Sequence, residues 1–170
     1  MTRASVLAFP LSPTQEQIAA AAGDMARILE REPELGDFGF GVFGPRRKTP
    51  AERAAELAQN REWMMAPRSL VQFLAARAWL RRFAKTKGIN RRAGSSYGLK
   101  HVAEYTIGYL TNGVFIAAAI AEDFQVHRIG AGPNAWFNIS ATAWRRPAQQ
   151  PQKTKARPRL VVNNEGSDRP

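Results

Sequence analysis

The chain has no cysteine. That excludes a disulfide framework, a thiolate metal site and a thiol nucleophile, and it fits a reducing compartment. Long apolar runs are also missing. The longest nearly uncharged stretch, "YTIGYLTNGVFIAAAIA" at 105–121, falls short of the roughly 18 residues a span needs and is broken by Thr-Asn-Gly. The start, "MTRASVLAFPLSP", has a brief apolar patch but no signal-peptide core. A soluble, cytoplasmic protein with no membrane partner is expected.

Acidic side chains are scarce where basic ones gather. Of the formal net charge of +11, most comes from two blocks. Residues 61–100 hold ten basic side chains against one acid, Glu62, and residues 145–159 hold six with no acid. The remainder of the chain is net acidic. Charge concentrated this way attracts polyanions, whereas scattered charge serves solubility. Nucleic acid is the favoured partner.

With 170 residues and 44% hydrophobic content, one compact domain with tails is expected. Ser12-Pro13-Thr14-Gln15 has the form of a capping box with proline at the first helical position. Its helix should run to about Arg31, bury Ile18, Ala22, Met25, Ile28 and Leu29, and stop at Pro33. Thr49-Pro50-Ala51-Glu52 repeats the device and opens a second helix to about Trp63. Pro67 starts a third, ended by Gly88, whose last two turns carry Arg81, Arg82, Lys85 and Lys87. Ser95 or Ser96 caps a fourth helix that ends at Gly108, and Thr111 caps a fifth that ends near Phe124. "QVHRI" and "AWFNIS" then alternate like strands around the "GAGPN" loop, with Ala135, Phe137 and Ile139 inward.

The expected fold is mainly α with a small β-hairpin. Residues 1–66 form a helical region that packs on the core, and residues 67–144 form a winged-helix-like domain, helix-turn-helix plus hairpin. A basic tail at 145–170, rich in proline and glutamine, is expected to be disordered.

Several motifs read as ordinary structure. "GFGVFG" at 39–44 matches a dinucleotide fingerprint in letters, but a helix precedes it and Pro45 follows, so the phosphate-binding context fails. It reads instead as a connector with Phe38, Phe40 and Phe43 tucked onto the core. His101 with Glu104, and His127 near Glu122 and Asp123, lack chelate spacing, so no metal or other cofactor is expected. In "SSYGLK", Tyr97 stands where a Ser-x-x-Lys nucleophile would need serine. No catalytic constellation is expected. Trp79, Phe83 and Tyr97 lie among basic residues as stacking platforms do. Phe83 reads as core, and Trp79 as the better candidate for exposure.

The sequence thus predicts a non-catalytic nucleic-acid-binding protein, with duplex DNA favoured over RNA or single strands. Phosphate contacts are assigned to Arg77, Arg81, Arg82, Lys85, Lys87, Arg91, Arg92, Lys100, Arg128, Arg145 and Arg146. Thr111 and Asn112, at the start of the fifth helix, are the candidates to meet base edges. The middle of that helix, "VFIAAAIA", is apolar nearly all round, so it reads as scaffold first and reader second. The alternative is a protein-interaction module or inhibitor that docks an acidic partner through its basic face.

Overall fold

A computed structural model describes residues 12–140. Among these residues the protein is mainly helical, with five helices and two small antiparallel strand pairs. Helix α1 (Gln15–Arg31) opens on Thr14, whose side chain accepts from the Gln17 amide while the Gln17 side chain accepts from the Thr14 amide. The cap therefore sits two residues later than the Ser12 device suggested. Ala21, Met25, Ile28 and Leu29 form its buried stripe. Helix α2 (Pro50–Met65) opens on the Thr49–Glu52 capping box expected of it.

Between these helices, β1 (Leu35–Gly36) and β2 (Gly39–Phe40) form a tight pair with Leu35 opposite Phe40. This turn is pressed against the start of helix α5 (Asn112–Ala121), where the Gly113 amide donates to the Asp37 carbonyl at 2.9 Å. A Cβ at Gly113 would lie 1.8 Å from the Gly36 carbonyl oxygen, so only glycine permits the approach.

Helix α3 (Pro67–Leu80) is shorter than its sequence suggests. Residues 84–86 leave it and run along the free edge of a hairpin. That hairpin pairs β3 (Val126–Arg128) with β4 (Ala135–Phe137), Val126 opposite Phe137. The Thr86 amide donates to the Asn138 carbonyl at 2.7 Å, and the Ser140 amide to the Ala84 carbonyl at 2.9 Å. Lys85 bridges to Ile139. "FAKTK" suits a helix, but a distant strand edge offers the Thr86 amide and the Ala84 and Thr86 carbonyls partners, and tertiary context overrides propensity. Helix α4 (Ser96–Ile107) starts on Ser95 and ends at Gly108, as expected.

Helix α5 is the axis of the core. Every residue from Asn112 to Ala119 is buried, and the helix packs against α1, α3, α4, β2 and β3. Its Phe115 ring lies 5.9 Å from both Trp79 and Phe137. Trp79, expected at the surface, is only 3% exposed. Ala135, Phe137 and Ile139 face inward as the alternation required. Of the three connector aromatics only Phe40 is buried. Phe38 and Phe43 are 52% and 82% exposed, beside an open cleft of about 590 Å³ between the connector, α2 and the hairpin loop. Among the described residues no helix is long and apolar enough to cross a membrane.

Candidate functional site

The basic residues divide into those bound within the fold and those at its surface. Arg77 belongs to the first group. On α3 it donates to Asp24 of α1 and to Glu122 at the end of α5, both at 2.6 Å. Its guanidinium also lies 5.4 Å from the Phe73 ring. Arg81 reaches the same Glu122 at 2.8 and 2.9 Å but remains well exposed. Burial opposes ionisation of Glu122, yet the hydrogen bonds from Arg81 and Arg77 outweigh it and hold the carboxyl below its ordinary value. The same contact raises Arg81.

Lys100 is 6% exposed and donates to Glu104 at 2.8 Å, with the Tyr97 and Tyr109 rings 5.3 and 5.7 Å from its ammonium. Glu104 also meets His101 Nδ1 at 2.6 Å and accepts from the Leu110 amide at 3.3 Å. Burial acts against the Glu104 charge, but these donors together lower its pKa. Glu104 thus ties the end of α4 to the α4–α5 junction through the Leu110 amide, and His101 is one of its partners within α4. Among the described residues no group of three or more histidine or carboxylate side chains is placed to hold a metal ion.

Arg128 folds back on its own loop. It donates to the carbonyls of Gly132 and Ala131 at 3.0 and 3.2 Å, pairs with Glu34, and lies over the Phe40 ring. Thr111 caps α5 by accepting from the Val114 amide. Asn112, 5% exposed, donates from Nδ2 to the Phe38 and Pro133 carbonyls and to Asn134 Oδ1, at 3.1, 3.2 and 3.1 Å. The first turn of α5 is therefore covered by the β1–β2 turn and the hairpin loop.

Five of the candidate cations lie together on one continuous exposed segment. Arg82, Lys85, Lys87, Arg91 and Arg92 are all exposed. They lie in the turn after α3, the edge segment beside β4 and the 3₁₀ turn Arg91–Ala93. Asn90 anchors that segment by donating from its amide to the Phe137 carbonyl and from Nδ2 to the Ile139 carbonyl, at 2.8 and 2.9 Å. Arg145 and Arg146 lie outside the described residues.

Sequence reasoning did not assign a role to the neighbours of Arg91. His127 stands opposite Trp136 on the outer face of the hairpin, and the Arg91 guanidinium is 4.5 Å from the Trp136 ring. The strand alternation carried the His127–Trp136 signal, because once Phe137 turns inward its neighbour must turn out. Comparison of the chain with family models, with curated proteins and with solved structures finds no match.

Proposed function

We propose that the protein binds nucleic acid without catalysing a reaction on it, and that its main ligand is duplex DNA. Residues 67–140 follow the order of a winged helix: α3, the edge segment at 84–86, α4, α5 and the β3–β4 hairpin. The observation that carries the functional reading is the exposed run of cations at 82–92. No acidic residue occurs between Glu62 and Glu104, so this stretch of chain is uniformly positive and attracts a polyanion.

Base reading by α5 is not part of the proposal. Asn112 is committed to three acceptors within the fold, and freeing it would leave those groups unpaired. Contacts confined to phosphate hold DNA without discriminating sequence. Mobility-shift titration of random-sequence duplex, single strand and RNA at several salt concentrations tests this reading. Duplex should bind with little sequence preference, and affinity should fall steeply with salt. Absence of binding at low salt would overturn the reading.

A second reading has its own support. Tyr97, Tyr105 and Tyr109 are 52%, 81% and 63% exposed, and the Arg68 guanidinium lies 5.9 Å from the Tyr109 ring. Exposed tyrosine with arginine is the composition of protein-binding hot spots. In this reading the chain is an interaction module for an acidic partner, and random-sequence duplex would not bind.

A further inference from the structure

The outer face of the hairpin holds an aromatic cluster that phosphate binding alone leaves unused. His127 and Trp136 are cross-strand partners, with ring planes 6° apart and centroids at 6.1 Å. His127 is exposed and Trp136 half-buried, while Ala135 and Phe137 on the opposite face are buried. Arg91 reaches this face from the 3₁₀ turn that adjoins β4. Its guanidinium lies 4.5 Å from the Trp136 ring centre. The same segment supplies Lys87 and Arg92, both exposed. Flat rings thus lie beside the Arg91 cation, on a segment of chain that is basic throughout.

We propose that the His127–Trp136–Arg91 cluster is a stacking site for an unpaired nucleobase. The preferred ligand would then be a duplex that carries a single-stranded extension. This rests on the nucleic-acid reading above and specifies its ligand. Bases inside an intact duplex are stacked on one another and present only their edges in the grooves. A ring on the protein surface meets the face of a base only where a strand is unpaired. Every base has such a face, so stacking tolerates any sequence, as the covered start of α5 also requires. The Arg91 guanidinium is itself exposed, and a cation–π contact open to solvent is weaker than a desolvated one. A base that displaces Arg91 from Trp136 frees it for the phosphate next to that base. The basic segment beside the cluster then holds the adjoining backbone.

The test uses the full chain and fluorescence anisotropy. It compares a blunt random-sequence duplex with the same duplex extended at the 3′ or the 5′ end by about ten thymidines, a length within the span such sites cover. One extended duplex should bind about tenfold more tightly than the blunt one. Trp136→Ala should abolish that advantage and leave blunt-duplex affinity unchanged. Trp136→Phe should keep most of it, because phenylalanine also stacks, and this variant preserves the hairpin if alanine does not. Equal binding of blunt and extended duplexes by the unaltered protein would overturn the stacking site and leave duplex binding standing. So would a full advantage retained by a folded Trp136→Ala. Failure to bind any of the duplexes would instead remove the nucleic-acid reading itself.

Discussion

Asp37 and Glu122 are carboxylates at opposite ends of helix α5, and the fold shifts them in opposite directions. Burial raises Asp37, with only partial relief from a Thr111 hydrogen bond, and its Oδ1 has no hydrogen-bond partner among the described residues. Its ionised form is therefore a cost to the fold, incurred as pH rises above the ordinary value of 3.8. Asp37→Asn should raise the melting temperature at pH 7, and the gain should vanish at acid pH, where the parent carboxyl is protonated. Glu122 behaves the other way. Its lowered pKa contributes stability above the ordinary value of 4.5, and that contribution is lost as pH falls through the folded value. Glu122→Gln should cost about 1–3 kcal/mol at pH 7, because Arg77 keeps only Asp24. Thermal melts of both variants across pH check the two signs. Asn112 separates structure from recognition at the same scale. Asn112→Ala should destabilise by about 1–3 kcal/mol and leave base preference unchanged, read by melts and by competition between duplexes of different sequence. A shift in sequence preference without loss of stability would return Asn112 to the role its position at a helix start suggested.

Helices were legible wherever their ends are written in local chemistry. Thr49 with Glu52, Ser95 and Thr111 cap helices as their side chains dictate, and Gly108 ends α4. The hairpin faces were legible too, because alternation about Phe137 leaves one buried set. The end of α3 was not, since nothing near Arg81 in sequence forbids a further turn. What stops the helix is an edge supplied from residue 138 onward. Asn138 is 4% exposed and fixes that junction with its side chain. It donates to the Thr86 carbonyl at 2.9 Å and accepts from the Gln125 amide at 2.8 Å. Asn138→Ala should therefore loosen the edge segment and the start of β3 together. Hydrogen exchange should quicken at the amides of Thr86 and Gln125, while those of α5 stay protected. Quickening spread evenly over the whole chain would mean that the edge segment is not a separately stabilised element.

At the scale of the molecule, composition revealed a basic block but not how much of it the fold consumes. The partners of Arg77 and Arg128 are out of reach of any local reading, with Asp24 and Glu122 lying 53 and 45 residues from Arg77 and Glu34 lying 94 from Arg128. Asp24 and Glu122 belong to the net acidic remainder of the chain, and they neutralise arginines of the basic block. Lys100 is consumed by Glu104 in the same way. Among the described residues of the block, the 82–92 segment is an exposed run of cations, and it can be told from the ion-paired set by salt dependence. Changing Arg82, Lys87, Arg91 and Arg92 together to Gln should flatten the plot of log K against log salt by about 0.9 for each phosphate that is no longer neutralised on B-form DNA. The melting temperature should change less than in Arg77→Gln, because all four side chains are exposed whereas Arg77 joins α1, α3 and the end of α5. Arg77→Gln should do the reverse, lowering stability and leaving the slope as it was. If the quadruple variant keeps the parent slope while Arg77→Gln flattens it, the division between structural and binding cations is drawn in the wrong place.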